Sequence, residues 1–375
     1  MKFYILAGEA SGDLHASDLI RELKSKIPSL EIRGWGGDLM KVEGVEIVKH
    51  YRDLSFMGFT EVIMNLRTIL RNINYCKKDL LNYKPDAVIL IDYPGFNLRI
   101  AEFAKKNKLP VYYYISPQVW AWKSSRVRRI KEIVNMMFVI LPFEKEFYKK
   151  FNYNVEYVGH PLPDVISRKR KLFLERIVFL KKHSLNNKPI IAILPGSRKQ
   201  EIETILPLML SVKDSFPGYQ FVIAAAPSQP VSFYEEFVAN KNINIISDET
   251  YGLLFHSEAA LVTSGTATLE TALLNVPEVV CYKGGMISYF IAKTLIKIKF
   301  ISLVNLIMDR EVVKELIQND LTSNSITTEL KKILDPEVRV KIFEDYSLLN
   351  EKLSTGGAAS KTAAMIVDDL NRNRF

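Results

Sequence analysis

The chain is poor in cysteine and histidine and contains no long, unbroken apolar run. Cys76 and Cys281 stand far apart and outside any CxxC or Cys/His spacing. That excludes a disulfide framework and a structural zinc, and it fits a reducing cytoplasm. The longest uncharged stretch, Ser215 to Tyr234, is interrupted by Pro217, Pro227 and Pro230 and carries Gln220 and Gln229, so it does not supply the roughly 20-residue apolar helix that a bilayer demands. The N-terminus reaches Glu9 too soon for the apolar region of a signal peptide. No transmembrane segment is expected. No Asp-x-Asp pair precedes a phosphate-binding loop, so neither metal nor cofactor is expected.

What is present describes a folded, basic protein. Of 375 residues, 48% are hydrophobic and 25% charged, the balance of a globular chain long enough for two domains. Lys and Arg outnumber Asp and Glu by 51 to 42, an excess that attracts anions such as nucleic acid, anionic lipid or phosphorylated substrates. Part of it is local, in Lys123 to Lys131 and in the run Arg168, Lys169, Arg170 and Lys171.

Short β-branched and aromatic runs alternate with helical patterns, beginning with a strand at Phe3 to Ala7 and a helix from about Leu14 to Lys26. Runs such as Ala87-Val88-Ile89-Leu90-Ile91 are apolar throughout, as strands of a parallel sheet covered on both faces must be. The rhythm pauses after Gly159-His160-Pro161 and resumes at Ile190 to Leu194. The expected fold is α/β, with two Rossmann-like domains facing across a cleft. Residues 1–165 form one such domain, 187–345 the second, and 346–375 a helical segment packing back on the first.

In open α/β sheets ligands bind beyond the carboxyl ends of the strands, so the polar residues just after each strand carry the information. Strand one runs into Gly8-Glu9-Ala10-Ser11-Gly12-Asp13, where Ser11 or Asp13 suits a helix cap and Ser11 and Gly12 are candidate donor contacts. The Ala87 strand delivers Asp92 into Asp92-Tyr93-Pro94-Gly95-Phe96-Asn97. A carboxylate there can take a proton from an acceptor hydroxyl if burial raises its proton affinity, with Asn97 the better candidate to cap the next helix. After Leu194, Ser197 and Gln200 match a capping box, and Arg198 beside the helix start suits a diphosphate. The turn Ser264-Gly265-Thr266 opens another helix, in which Glu270 is placed to accept ribose hydroxyls.

Taken in order, these loops together with Ser116-Pro117-Gln118-Val119-Trp120-Ala121-Trp122 and Leu141-Pro142-Phe143-Glu144 resemble the lipid-A-disaccharide synthases over nearly the whole chain. The resemblance implies transfer of 2,3-diacylglucosamine from UDP to 2,3-diacylglucosamine 1-phosphate, with inversion at the donor carbon and release of UDP. It also implies Asp92 as the catalytic aspartate, Arg198 as the diphosphate arginine, and Asn305 in Ser302-Leu303-Val304-Asn305 as a donor-site residue. Glu270 carries over more weakly, by analogy with the ribose-binding acid of similar glycosyltransferases. Where that family often has a second acid in the Asp92 loop, this chain has Gly95, which is given no role.

Acylated substrates imply a station on the cytoplasmic face of the inner membrane. A helix from about Phe59 to Ile73 would provide contact with an anionic surface through Val62, Ile63, Leu66, Ile69 and Leu70, which recur at three- and four-residue steps, with Arg67 and Arg71 nearby. The rival readings are a UDP-N-acetylglucosamine 2-epimerase or a peptidoglycan-lipid glycosyltransferase of the same architecture and, from another class, a basic nucleic-acid-binding protein. Nucleic acid is not an expected partner, because no zinc spacing or RNA-binding aromatic motif is present. The sequence leaves monomer and oligomer both open.

Overall fold

The computed structural model describes residues 1–53, 66–122, 126–238, 243–284, 299–353 and 356–372. The chain divides into two compact units, Met1–Pro161 joined by Thr355–Phe375, and Leu162–Ser354.

The first unit is built on a seven-stranded sheet in the order β3-β2-β1-β4-β5-β6-β7, with all its pairings parallel. Its strands are β1 Lys2–Ala7, β2 Glu31–Gly36, β3 Glu46–His50, β4 Ala87–Ile91, β5 Val111–Tyr114, β6 Met136–Val139 and β7 Glu156–Tyr157. The helices are α1 Ala10–Lys26, α2 Asp38–Val42, α3 Leu66–Tyr83, α4 Pro94–Lys106, α5 Val119–Trp122, α6 Val127–Ile133 and α7 Glu144–Lys149. Because side chains alternate along a strand, β1 and β4 feed two cores, one on each face of the sheet. Tyr4, Leu6, Val88 and Leu90 pack on one side; Phe3, Ile5, Ala87, Ile89 and Ile91 pack on the other.

The second unit carries a six-stranded sheet in the order β10-β9-β8-β11-β12-β13, again parallel throughout. Its strands are β8 Ile190–Leu194, β9 Gln220–Ala225, β10 Asn244–Ser247, β11 Ser257–Thr263, β12 Glu278–Tyr282 and β13 Lys314–Ile317. Its helices are α8 Leu162–Arg170, α9 Arg176–Lys182, α10 Lys199–Leu210, α11 Val231–Val238, α12 Thr250–Phe255, α13 Thr266–Leu273, α14 Leu303–Met308, α15 Ser323–Leu334 and α16 Pro336–Leu353. Residues 162–165, expected in the first domain, and 166–186, left between the expected domains, therefore belong to this unit and carry α8 and α9, with Phe179 and Leu180 buried in its core.

The expected C-terminal segment is shared between the units. In α16, Tyr346, Leu349 and Leu353 are buried, and the Tyr346 hydroxyl donates to the Val276 carbonyl at 3.3 Å within the second unit. The final helix, α17 Ala358–Arg372, packs on α1 of the first unit, burying Ala363, Ile366 and Leu370. The Tyr112 hydroxyl secures it with a 2.7 Å bond to Asp369.

Candidate active site

In each sheet the strand order reverses between two central neighbours, and the crevice outside such a pair is where open α/β sheets hold ligands. In the first unit that pair is β1 and β4, in register from Phe3–Ala87 to Ala7–Ile91. In the second it is β8 and β11, with Leu194 opposite Val262. Ser11, Gly12 and Asp92 follow the first pair, while Arg198, Ser264, Gly265, Thr266 and Glu270 follow the second. The helices leaving these four strands, α1, α4, α10 and α13, begin at Glu9, Tyr93, Arg198 and Gly265 without a side-chain cap. Their first amides and positive dipole ends therefore lack that internal satisfaction.

Asp92 sits in a turn that its own sequence would not choose. Asp92 and Tyr93 both take left-handed backbone, φ +44° and +47°, a conformation costing a non-glycine residue about 1–2 kcal/mol. The turn is held from within the fold. The side-chain amide of Asn97 donates to the carbonyls of Ile91 at 3.1 Å and Asp92 at 2.8 Å, and the Tyr113 hydroxyl donates to the Asp92 carbonyl at 2.5 Å. Asn97 is thus a brace inside the first turn of α4 rather than its cap, and the residue at the cap position, Tyr93, makes no side-chain cap bond. A Cβ on Gly8 would lie 2.3 Å from the Tyr93 ring, so glycine at the end of β1 is what lets the turn settle there.

The Asp92 carboxyl is half-buried, and burial, followed by the negative charge of Glu9, pushes it up to about 7. Glu144 contributes in the same sense. Glu144 is itself buried and pushed up to about 7 by that burial. It accepts bonds from the Ser116 hydroxyl, the Ile140 amide at 3.1 Å and the Leu141 amide at 2.9 Å. These bonds staple the loop after β5 to the loop after β6. A base of this proton affinity is ionised and receptive just above neutral pH. Gly95 is exposed and a Cβ there would meet nothing within 4 Å, so space does not explain the missing second acid.

Beside this loop a cavity of about 370 Å³ is walled by Leu66, Ile69, Tyr93, Phe96, Leu98 and Ile130, with Arg99, Arg126 and Arg129 along it. Arg129 is engaged by Glu102. The apolar stripe of α3 divides: Ile69 packs against the core and Ile73 is buried in it, whereas Leu66 and Leu70 are 47% and 45% exposed. Arg67 and Arg71 are exposed next to them. Phe59, Val62 and Ile63 lie outside the described residues.

Several expected caps are made differently. Helix α1 begins at Ala10, so Ser11 is exposed in its first turn and Gly12 is buried against Ala7. Asp13 caps another helix: its carboxylate accepts from the amides of Gly37, Leu39 and Met40 at 2.7–3.1 Å, at the start of α2. The capping box of Ser197 and Gln200 does not form, because α10 starts one residue later with Arg198 as its cap residue. The Arg198 guanidinium is 61% exposed and bonded to Glu201 at 3.0 Å.

On the other side of this switch point, Gly265 has φ +151° and faces open space, a geometry that favours glycine and leaves the backbone approachable. Ser264 donates its hydroxyl to the Ile301 carbonyl at 3.0 Å. Glu270 accepts the Tyr251 hydroxyl at 2.6 Å and lines a cavity of about 650 Å³ with Lys169, Phe173, Lys182 and Tyr251. Burial raises the Glu270 proton affinity, while Tyr251 and Lys169 oppose the rise.

Asn305 is fully buried and turned inward. Its amide nitrogen donates to the Val313 carbonyl and to Glu315, and its oxygen accepts the amides of Val312 and Val313, all at 2.7–3.0 Å. Glu315 in turn accepts the amides of Ile301 and Ser302, both at 2.9 Å. The side chain thus reaches the Ser264 loop through bonded neighbours. Glu9, Glu144, Lys169 and Tyr251 were given no role from sequence. Glu144 stood in a quoted motif, but its burial and its hold on Ser116 depend on contacts that spacing does not encode.

Two parallel sheets of this order, each with a switch point, make a fold shared by UDP-sugar epimerases and glycosyltransferases. The fold is shared with a UDP-GlcNAc 2-epimerase from Methanocaldococcus jannaschii solved with UDP-GlcNAc and UDP. That match has a TM-score of 0.67 at 15% identity, covering 98% of this chain and 99% of that one. The chain belongs to the lipid-A-disaccharide synthetase family, whose pattern matches residues 3–367. It is 40% identical to the lipid-A-disaccharide synthase of Syntrophus aciditrophicus (strain SB), covering 98% of each chain. With that of Geobacter metallireducens it shares 35%, covering 99% of this chain and 97% of its relative. Membership makes it a glycosyltransferase of lipid A disaccharide synthesis acting on UDP-sugar substrates, and it favours neither the epimerase nor the nucleic-acid reading.

Proposed function

We propose that the chain transfers 2,3-diacylglucosamine from UDP-2,3-diacylglucosamine to 2,3-diacylglucosamine 1-phosphate, giving the β-1,6-linked disaccharide 1-phosphate and UDP by a single inverting displacement. The observation that carries this reading is the pairing, within one unit, of a base tuned to about 7 with an apolar, arginine-edged cavity beside it. Asp92 takes the proton of the acceptor hydroxyl as that oxygen attacks the donor's anomeric carbon. The apolar walls suit an acyl chain and the arginines suit the acceptor's phosphate.

In the second unit, Arg198 and the amides at the start of α10 receive the charge that grows on the leaving diphosphate. Glu270 accepts the ribose hydroxyls, and Ser264, Gly265 and Thr266 offer an open turn beside it. Ser11 and Gly12 are assigned to the donor from the β1 loop. This division of charge requires no metal. Membrane association supplies the substrates. Among the described residues no helix is long and apolar enough to cross a membrane, whereas Leu66 and Leu70 with Arg67 and Arg71 present an apolar and basic face suited to anionic lipid at the cytoplasmic side of the inner membrane.

The test is to incubate the protein with both acylated substrates and follow the products by mass spectrometry. Disaccharide 1-phosphate and UDP in equal amounts are expected. Conversion of UDP-N-acetylglucosamine to its 2-epimer, with no disaccharide formed, would overturn the proposal.

A further inference from the structure

The basic run Arg168 to Lys171 has no part in the chemistry above, and its side chains serve different ends. The guanidinium of Arg170 lies over the Phe255 ring, 5.6 Å from its centre. Lys169 meets the same helix one turn earlier, its ammonium 4.5 Å from the centre of the Tyr251 ring. The hydroxyl of that tyrosine is the donor to Glu270. Three elements of one unit, α8, α12 and α13, thus bring a cation, a phenol and a carboxylate onto the wall of a single cavity.

We propose that Lys169 is a positioning residue of the donor site: seated on Tyr251, it fixes the Glu270 carboxylate as the acceptor for the ribose hydroxyls of a nucleoside diphosphate. The proposal rests on the reading of this cavity as the nucleotide pocket. A carboxylate has about four lone-pair sites, so the single bond from Tyr251 leaves room for two further hydroxyls while fixing the plane of the group. That capacity requires the ionised form, which burial disfavours. The Tyr251 bond and the Lys169 charge act against burial here.

The other charged groups around the cavity are otherwise committed. Lys182 and His183 are both bound to Glu249, and Asp248 is exposed. Lys169 is accordingly the cation that acts on Glu270. The ammonium over the ring also restrains Tyr251, since a cation is attracted to the negative face of an aromatic ring.

The test is calorimetric binding of UDP and 2′-deoxy-UDP to the wild type, Lys169→Met and Lys169→Arg, at pH 6 and pH 8, with melting temperatures recorded alongside. The wild type should prefer UDP. Lys169→Met should narrow that preference by about 3- to 10-fold, the size of one lost hydrogen bond. The loss should be larger at pH 6 than at pH 8, because an unsupported Glu270 is more readily protonated at the lower pH, and Lys169→Arg should keep most of the preference. Unchanged preference in Lys169→Met at both pH values would overturn the inference while the donor reading stands, whatever the melting temperature does. An equal loss for both ligands would make Lys169 a phosphate contact and overturn it too. Failure of the wild type to bind UDP, or to prefer it, would overturn the donor reading and the inference together.

Discussion

The two switch points share a topology and differ in what surrounds their charges. At β1 and β4 a carboxyl is half-buried, crowded by other acids and held in a left-handed turn by Asn97 and Tyr113. At β8 and β11 the arginine is largely exposed, the helix starts are open, and the carboxylate of Glu270 is tied to a tyrosine. On the proposed reading, the same scaffold serves proton transfer in one unit and anion binding in the other. The difference comes from desolvation: a base gains proton affinity from being buried, whereas a diphosphate site must remain accessible to a charged ligand.

The sharpest way to break this division is at Asp92. Asp92→Asn should lose about 10²-fold or more in turnover, with UDP affinity unchanged by calorimetry; near-normal turnover would remove Asp92 from the mechanism. Arg198→Ala should do the opposite, weakening UDP binding by about 10-fold or more, as expected for a lost charge-assisted bond. EDTA should leave wild-type turnover intact, and activity abolished by EDTA and restored by magnesium would show that Arg198 and the helix amides do not suffice.

The exposed and buried halves of α3 allow a comparison within one helix. Leu66→Ser with Leu70→Ser should reduce flotation with anionic liposomes at nearly constant melting temperature, whereas Ile73→Ser should lower the melting temperature. Equal destabilisation by both changes would show that the exposed pair is core as well. The smallest effect expected is on pH dependence. Because the Asp92 carboxyl is raised to about 7, kcat/KM should climb from pH 6 to pH 8 as it ionises. Glu9→Gln removes a neighbouring charge and should move that climb to lower pH; an unmoved climb would show that Glu9 does not act on Asp92.

The sheets were legible in sequence because central parallel strands are apolar on both faces, as in β4 and β8. Strands β2, β3 and β13 escaped notice for the complementary reason. Edge strands β3 and β13 are short and each carries Glu and Lys, and β2 is broken by Gly34 and Gly36, with Gly34 leaving no room for a Cβ beside the Ile5 carbonyl. In the candidate site, positions were easier to read than partners. Asp92, Arg198 and Glu270 follow strands that periodicity identifies, so their location at the carboxyl ends of the sheets could be inferred. That Asp13 serves α2, or that Asn305 spends its whole amide on Val312, Val313 and Glu315, depends on contacts between segments that sequence spacing leaves unspecified.

The return of α17 to α1 imposes an order on synthesis. The ribosome must make the whole of residues 162–357 before the helix that covers Ala16, Leu19, Ile20 and Leu23 is available, so the second unit can close while the first is still missing one of its walls. During that interval the first unit carries an uncovered apolar flank, and a chaperone that binds nascent apolar surface would find it there rather than on the second unit.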